Sequence, residues 1–431
     1  MSHTNEHDLR SEFIDRTRDR FERVTGRRAA WAWFVPGRVE ILGKHTDYAG
    51  GRSLVAAVSR GFVIFAAPRD DRIVHVIDAT TGQTVDLDPN DETYRFNGWR
   101  NYIAVVARRL AHNFPGAALG ADIAFASNLP RAAGVSSSSA LVVGIAAALI
   151  RRGRLDEDAR WRAAIGTPLD MAGYLGAIES GLTFGPLHGT SGVGIHGGSE
   201  DHTAILTSRD GCVSAYAYVP VRHLTTEHMP HDWRFVVLSS GVHAAKAGSA
   251  RDRYNRASDA TRTLVRIGSN PEPPAGTLAD LLATSPEAHE RLRERIEAVA
   301  DPGERLALSH RLDHFLHEDA RVLPAARAFR ESDRDAIGEL ARASQEDADV
   351  LLGNQVEETR QLAMLARASG AFAASSFGAG FGGSVWALVE AVDAEPFLDR
   401  WTRAYASAFP HRHGAEGFVT RPGTGLSELA P

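Results

Sequence analysis

The sequence predicts an α+β protein of two domains, and two observations support this prediction. Segments with strand-like alternation and segments with helical periodicity follow one another through both halves of the chain, without a regular period. The length of 431 residues is enough for about two ordinary domains, given the wide scatter of domain sizes about roughly 150 residues. We therefore expect an N-terminal domain over residues 1–230 and a C-terminal domain over residues 231–431.

The predicted elements of the N-terminal half begin with an amphipathic helix, on which Phe13, Phe21 and Val24 share one face. Alternating β-branched and aromatic residues between turn residues indicate strands, whereas apolar periodicity indicates helices. The predicted strands lie within 29–43, 60–79, 121–130 and 203–220, and the predicted helices within 97–114, 138–152 and 158–181.

The C-terminal half is predicted to be mainly helical between two strand regions. The first strand lies within 232–240, residues 269–277 form a loop, and residues 278–368 are mostly helical. A glycine-rich turn within 370–390 then leads into a strand, and a helix follows at 393–409.

Composition excludes several classes of protein. The formal net charge of -6 argues against nucleic acid as a partner, because nucleic-acid-binding domains usually present a basic face. The single cysteine, Cys212, rules out an intramolecular disulfide and a multi-cysteine metal site, which is typical of a reducing, cytoplasmic setting. No apolar run reaches about 18 residues, so we expect no transmembrane helix. The N-terminal segment is too charged for a signal peptide. The oligomeric state is not readable from the sequence.

One short stretch, GRVEILGKHTDYAGG at residues 37–51, is crowded with charged and titratable groups between glycines. It contains Lys44, whereas nearly all of the 48 lysine and arginine residues are arginine and the other lysine is Lys246. A lysine in such a chain indicates a position where a compact ammonium group is favoured over a forked guanidinium group.

A second segment, LPRAAGVSSSSALVVG at residues 129–144, has the composition of a phosphate-binding turn. Small residues let backbone N–H groups approach a ligand, and the N terminus of the following helix is electropositive. Serine hydroxyl groups add donors or a magnesium ligand. The alternative is a serine-rich N-cap before a core helix. The Walker pattern G-x-x-x-x-G-K-[ST] does not occur, so a Walker-type loop is excluded.

Two further glycine-rich segments allow alternative interpretations. Gly378, Gly380 and Gly383 satisfy the dinucleotide-binding pattern G-x-G-x-x-G. The residues after them are strand-like rather than helical, so a glycine turn packed against another loop is favoured.

Glu200 and Asp201 follow a glycine pair before a predicted strand, where an acid is either catalytic or a solvated turn residue. Three histidines in this region show no clear metal-ligand spacing; they are His188, His196 and His202.

Taken together, three of these segments resemble the galactokinase branch of the GHMP sugar kinases. VPGRVEILGKHTDYAGG resembles the signature G-R-V-N-L-I-G-E-H-T-D-Y-N-G-G of that branch. LPRAAGVSSSSAL is similar to its phosphate loop L-P-x-G-x-G-L-S-S-S-A, and GAGFGGSVWALV to its C-terminal motif G-A-G-F-G-G-x-x-x-A-L-V. The three matches occur in the family's order and span residues 30 to 390, which makes the resemblance specific.

The resemblance implies a two-domain GHMP kinase fold. The N-terminal domain would contain a left-handed βαβ unit, which is rare, and the C-terminal domain would be ferredoxin-like, with the active site between them. The resemblance also implies an ATP-dependent sugar 1-kinase that uses Mg²⁺ and phosphorylates the anomeric hydroxyl group of galactose or a related sugar. The partners would be small molecules, the sugar and ATP, with no nucleic acid and no membrane.

The resemblance also implies roles for individual residues. Arg38 and Asp201 would be catalytic, with Arg38 beside the γ-phosphate and Asp201 accepting the proton of the sugar hydroxyl group or orienting that group. Ser138 and Glu179 resemble the magnesium ligands. The sugar would be bound at the signature stretch and by two later segments, through Lys44, His45, Asp47, Gly198 and Tyr254. The ATP phosphates would be bound at the small-residue turn, through Gly134, Ser136, Ser137, Ser138 and Ser139, the last of which replaces the family's usual alanine.

The chain departs from the family pattern at several positions. Glu40 replaces an asparagine, Lys44 replaces a glutamate, and the family's Asp-Gln pair becomes Asp201-His202. The segment before Asp201 is longer than the usual galactokinase spacing, so Glu200 is the alternative catalytic carboxylate.

The replacement at Lys44 bears on the choice of substrate. The family's glutamate contacts the 6-hydroxyl group of the sugar, whereas an ammonium group would attract a carboxylate or phosphate substituent. The substrate could therefore be a C6-acidic sugar such as galacturonate or glucuronate, with Lys246 assisting, or another neutral sugar. The alternative is that Glu40 and Lys44 form a swapped ion pair that only stabilises the turn.

Two other functions stay open at this point. Some relatives of this fold regulate rather than catalyse, so a non-catalytic sugar- and ATP-binding sensor is one alternative. An NAD-dependent oxidoreductase is the other, and it rests only on the glycine pattern from Gly378 to Gly383.

Overall fold

The computed structural model describes residues 3–93, 95–130, 134–242, 249–269 and 276–431. The strands are β1 Trp31–Leu42, β2 Arg52–Pro68, β3 Val74–Asp78, β4 Thr84–Leu87, β5 Ala121–Ser127, β6 Cys212–Ala217, β7 Arg222–His228, β8 Trp233–Ser239, β9 Ala373–Ser376, β10 Ser384–Glu390, β11 Gly417–Thr420 and β12 Ser427–Leu429. The helices are α1 His3–Thr25, α2 Trp99–Asn113, α3 Ser137–Gly153, α4 Ala159–Ala164, α5 Pro168–Ser180, α6 Glu200–Thr207, α7 Ser249–Ser269, α8 Leu278–Leu282, α9 Ala288–Glu297, α10 Pro302–Glu331, α11 Arg334–Val350, α12 Glu357–Ala368 and α13 Ala394–Ala408.

Lys246 and residues 270–275 of the predicted loop lie outside the described residues. Among the helices that are described, none is long and apolar enough to cross a membrane.

The first sheet takes strands from both ends of the chain. Within the described residues its order is β12-β1-β2-β5-β3-β4, and β6 pairs with both β2 and β7. The pair β3 and β5 is parallel, and the chain passes between these strands through β4 and α2. A parallel pair requires such a crossover connection. The left-handedness expected for this unit stays a prediction.

Helix α3 is anchored in the core beneath this sheet. Its residues from Ser139 to Ile150 are buried, because apolar side chains surround the helix on all sides. It packs against β1 and β2. This burial fixes the N terminus of α3, which carries the predicted phosphate-binding serines.

The second sheet has the order β11-β8-β10-β9 and is antiparallel in its described strands. The chain reaches β9 from β8 through helices, turns directly from β9 to β10, and passes through α13 to β11. This is the β-α-β-β-α-β order of a ferredoxin-like fold, so that prediction is confirmed. The domain boundary at 230/231 stays a prediction, and β12 returns from the C-terminal part to pair with β1.

The predicted strand over 203–220 is wrong in its first part. Glu200–Thr207 is helix α6, and strand β6 begins only at Cys212. Helix α6 packs against α3 and α5. These tertiary contacts override the strand preference of the β-branched residues in this segment.

The predicted helix over 158–181 is interrupted. Helix α4 ends at Ala164, and α5 begins at Pro168, where proline is favoured as the first helical residue. The side chain of Thr167 caps α5 by accepting a hydrogen bond from the backbone N–H of Asp170.

Candidate active site

A cavity of about 280 Å³ lies among β1, the first turns of α3 and α6, the end of α5, helix α7 and the glycine turn at Gly378. This volume is close to the lower end of ligand pockets, at roughly 300 Å³. The cavity brings together all predicted site residues except Lys44, namely Arg38, His45, Asp47, Gly134, Ser136, Ser137, Ser138, Ser139, Glu179, Gly198, Asp201 and Tyr254.

Arg38 is the buried cation of the cavity wall. It follows an irregularity in the register of β1 and β2 between Pro36 and Arg38, and such bulges redirect side chains. Its Nε and Nη2 donate to Asp201 Oδ1 at 2.8 and 2.7 Å, and its Nη1 donates to the carbonyl oxygen of Gly134. Burial alone would lower the pKa of Arg38, but nearby carboxylates, Asp201 foremost, raise it. The guanidinium group therefore stays charged.

His45 also lines the cavity, in a left-handed backbone conformation with φ of 59°. Its Nδ1 is 2.9 Å from the Tyr48 hydroxyl oxygen, and its Nε2 is 3.2 Å from the carbonyl oxygen of Ala379. The ring centroids of His45 and Tyr254 are 4.8 Å apart. An imidazole flanked by aromatic rings is well suited to contact a sugar.

Asp47 connects the signature stretch to α6. Its Oδ1 accepts the backbone N–H of Tyr48 at 2.8 Å, and its Oδ2 accepts that of Glu200 at 3.1 Å. Burial raises the pKa of Asp47, and these two N–H groups partly offset that effect. A Cβ at Gly198 would lie 2.3 Å from Asp47 Oδ2, so glycine is required for this approach.

The serine-rich turn presents the N terminus of α3 to the cavity. Ser136, in a left-handed conformation with φ of 60°, precedes the first helical residue, Ser137. The Ser136 Oγ atom is buried and has no hydrogen-bond partner among the described residues. A helix N terminus with a spare hydroxyl group is suited to bind an anion such as phosphate.

Ser139 joins the two carboxylates that face this turn. Its Oγ lies 3.1 Å from Glu179 Oε2 and 3.2 Å from Asp201 Oδ2. His202 Nε2 lies 3.2 Å from the same oxygen of Glu179. Within the described residues, no group of three or more His, Cys, Asp or Glu side chains could hold a metal ion.

The structure does not bring Lys44 to the cavity. Its side chain is buried, and Nζ lies 2.6 Å from Ser344 Oγ, 3.0 Å from Ser375 Oγ and 3.7 Å from Glu318 Oε1. Glu318 Oε1 also accepts the backbone N–H groups of Gly43 and Lys44. The structure therefore gives no support to the predicted contact between Lys44 and the substrate, because the ammonium group is held by residues of α10, α11 and β9 away from the cavity.

The swapped ion pair between Glu40 and Lys44 is not formed either. Glu40 Oε2 accepts the backbone N–H of Gly378 at 2.8 Å and lies 4.0 Å from Arg38 Nη2. The Glu40 side chain lines the cavity, whereas Lys44 faces Glu318. The two charges introduced into the signature thus point to different environments.

The two candidate carboxylates of α6 differ in their environment. Asp201 is hydrogen-bonded to Arg38, whereas Glu200 Oε1 lies 3.7 Å from Arg38 Nε. Burial, followed by the neighbouring Glu40 carboxylate, raises the pKa of Glu200 well above its ordinary value. Asp201 is therefore the one of the two that is hydrogen-bonded to both Arg38 and Ser139, and its catalytic role stays a prediction.

The glycine pattern near the C terminus forms a turn between antiparallel strands. Strands β9 and β10 pair directly, and Gly378, Gly380 and Gly383 all have positive φ angles. A dinucleotide-binding turn would lead from a strand into a helix. The structural context therefore argues against the oxidoreductase.

Sequence reasoning missed part of the cavity wall. Tyr102 and Ile195 line it without belonging to any motif, and Glu40 and His202 were visible only as departures from a pattern. The signal for Glu40 was its charge. A carboxyl group stands where the signature has a neutral asparagine, and a buried carboxyl group needs a hydrogen-bond donor.

Comparison with known proteins agrees with this geometry. The family description "Galactokinase galactose-binding signature" matches residues 19–68, "GHMP kinases N terminal domain" matches residues 101–172, and "GHMP kinases C terminal" matches residues 325–407. A galactokinase of Lactobacillus helveticus is 25% identical over 401 residues, covering 90% of this chain and 93% of the relative. The chain belongs to the galactokinase family of the GHMP kinases.

Solved structures share the fold of this galactokinase-family member. The structure of Lactococcus lactis galactokinase complexed with galactose has a TM-score of 0.76 at 22% identity, covering 96% of this chain and 98% of that chain. The mevalonate kinase of Methanococcus jannaschii has a TM-score of 0.57 at 13% identity, covering 91% and 98%. The two-domain GHMP kinase fold is thus confirmed, and the chain is a sugar kinase.

Proposed function

We propose that this protein transfers the γ-phosphate of ATP to the anomeric hydroxyl group of galactose or a closely related neutral sugar. The observation that carries the proposal is the Arg38–Asp201 pair, which lies between the serine-rich turn on one side and His45 with Asp47 on the other. A phosphate donor and a hydroxyl acceptor bound on these two sides would meet at that pair.

Phosphoryl transfer depends mainly on positioning and on neutralising the spread negative charge of the transition state. The Arg38 guanidinium group supplies positive charge beside the γ-phosphate, and the N terminus of α3 supplies N–H donors for the other phosphates. The sugar oxygen forms a bond to phosphorus while the bond to ADP breaks. Asp201 accepts the proton that leaves the sugar hydroxyl group, or orients that group for attack.

The residues on the other side of the cavity would hold the sugar. His45 and Asp47 offer a ring nitrogen and carboxylate oxygens to its hydroxyl groups. The backbone at Gly198 lies against Asp47 and would add contacts to the sugar. Tyr254 provides an aromatic surface beside His45.

Ser138 and Glu179 would hold Mg²⁺ together with the ATP phosphates. Mg²⁺ prefers oxygen ligands and is usually bound through one or two carboxylates plus substrate phosphates. Glu179 is a buried carboxylate beside the Ser139 hydroxyl group, and both Glu179 and Ser138 line the cavity, which fits that pattern without a cage of protein ligands. When bound, Mg²⁺ would neutralise phosphate charge.

The cavity favours a neutral sugar over a C6-acidic one. With Lys44 engaged elsewhere, Arg38 faces Asp201, while Glu40, Asp47 and Glu200 add further carboxyl groups to the wall. A uronate would bring another negative charge into this wall, which is unfavourable at close range.

A kinetic panel tests the proposal. ADP release is measured with galactose, arabinose, galacturonate and glucuronate, for the wild type and for Asp201→Ala. We expect turnover with galactose or another neutral sugar, little with the uronates, and loss of turnover in the variant while ATP still binds. Sugar binding without ADP release would instead indicate a sensor.

A further inference from the structure

Glu40 has an unused hydrogen-bonding atom in the cavity wall. The residue lies on β1, is only 3% exposed, and lines the cavity. Its Oε2 is held by the backbone N–H of Gly378 at 2.8 Å. Its Oε1 is buried and has no hydrogen-bond partner among the residues that the structure describes. One oxygen therefore fixes the carboxyl group, and the other is left for a ligand.

The neighbouring cations do not satisfy this atom. Arg38 Nη2 approaches only the other oxygen of Glu40, at 4.0 Å, and its hydrogen bonds go to Asp201 and Gly134. Lys44 is engaged by two serine hydroxyl groups beside Glu318. A buried carboxylate oxygen without a donor is costly, so a donor supplied by a ligand would bind favourably.

The position of Glu40 indicates which part of the ligand it faces. Glu40 contacts Gly378, and His45 contacts the next residue, Ala379, so both side chains lie against the same turn. Glu40 is thus placed between Arg38 on the phosphate side and His45 on the sugar side.

We propose that Glu40 is a substrate-binding residue whose free Oε1 accepts a hydrogen bond from a hydroxyl group of the bound sugar. The proposal rests on the proposed function, because it assumes that the cavity binds a sugar. An ionised carboxylate only accepts hydrogen bonds, so this contact selects a hydroxyl group and disfavours an acidic substituent at the same position of the sugar.

Glu40→Gln is a precise test because of the bond to Gly378. That N–H group needs an acceptor, so the glutamine carbonyl must turn towards Gly378 and its NH₂ group then faces the cavity. The variant therefore replaces an acceptor with a donor at nearly constant shape. Burial raises the pKa of Glu40 to about 7, so the assays are run at about pH 8, where the wild-type group is ionised.

The experiment compares galactose with its monodeoxy derivatives, each of which lacks one hydroxyl group. We expect the wild type to lose about tenfold or more in kcat/KM for one derivative, because a hydrogen bond to a charged group is lost. Glu40→Gln should have a lower kcat/KM for galactose but should no longer distinguish that derivative. Glu40→Asp, which withdraws the carboxylate, should weaken the same discrimination and serves if the glutamine variant does not fold.

Glu318→Gln is the matched control, because Glu318 is an equally buried glutamate that does not line the cavity. It should rank the sugars as the wild type does. If Glu40→Gln also keeps the wild-type ranking and ratios, the residue only supports the turn at Gly378 and the proposal is overturned.

Direct calorimetric titration separates this proposal from the proposed function. If the wild type binds galactose without releasing ADP, the kinase function fails, and the ranking of binding constants decides the role of Glu40 in the same way. If the wild type binds none of the sugars, both are overturned.

Discussion

Replacing Lys44 with methionine tests whether the ammonium group stabilises the folded protein or binds the substrate. The change removes the charge and keeps most of the length of the side chain. Removing one partner of a buried ion pair costs roughly 3–5 kcal/mol. Glu318 keeps the N–H groups of Gly43 and residue 44 and the hydroxyl group of Ser344 as donors, so part of its charge stays compensated. We therefore expect a loss near the lower limit, about 3 kcal/mol.

Urea unfolding followed by circular dichroism measures this loss, and a double-mutant cycle assigns it. Lys44→Met, Glu318→Gln and the combined variant are compared with the wild type. If the two side chains interact, the combined variant loses less than the sum of the single changes, by about 1–3 kcal/mol. Lys44→Glu should be worse than Lys44→Met, because it places two buried carboxylates together.

The same variants also test whether Lys44 contacts the substrate. A Lys44→Met protein with unchanged stability, and with a changed preference between galactose and the uronates, would refute the reasoning from the structure. Unchanged sugar preference together with the expected loss of stability would support it.

Three other changes have defined outcomes. Asp201→Asn should lower sugar-dependent ADP release by about 10²–10⁴-fold with ATP binding retained in calorimetry; unaltered turnover would contradict its role. Gly198→Ala places a Cβ 2.3 Å from Asp47 Oδ2, so KM should rise for the sugar and change little for ATP, whereas equal effects on both would argue for general damage. Burial would raise the pKa of Glu318, but Lys44 and other partners lower it to about 2. The stability from its ionised form is therefore present above its ordinary pKa of 4.5 and is lost as the pH falls towards 2, by roughly 3 kcal/mol in total. Urea unfolding between these pH values should show a shallower loss for Glu318→Gln than for the wild type.

The part of the site that could be predicted from the sequence is the part written into short motifs. Arg38, His45 and Asp47 lie within ten residues of one another, so a local pattern defines all three. Local backbone features also direct two of them, namely the register irregularity before Arg38 and the left-handed conformation of His45. Local sequence therefore determines both the identity and much of the geometry of these residues.

The direction of the Lys44 side chain could not be predicted, because the residues that it contacts are distant in sequence. Glu318, Ser344 and Ser375 lie 274, 300 and 331 residues beyond it in the chain. Each is an ordinary residue of a helix or strand, without a motif of its own. Only the packing of α10, α11 and β9 against the signature turn shows that the ammonium group has a buried site.

Helix α6 illustrates a different limit. Its segment contains Thr203, Ile205 and Thr207, which favour a strand when considered alone. In the structure the helix places Glu200 and Asp201 in its first turn, where both reach the cavity. A strand would have sent the side chains of these two neighbours to opposite faces, so the secondary structure decides how many carboxylates enter the site.

Glu40 and Lys44, the two residues that depart from the family signature, are separated by a sharp turn of the chain. Gly43 has φ of 107°, and a Cβ there would lie 2.4 Å from the Cα of Ser53, so the chain turns sharply between Glu40 and Lys44. Beyond the turn, Lys44 enters the core beside Glu318, while Glu40 remains on the cavity wall. A position-by-position comparison with the family assigns the new lysine to the substrate. The backbone direction instead places the lysine beside Glu318 and leaves the Glu40 carboxyl group on the cavity wall, where the proposed contact with the sugar would form.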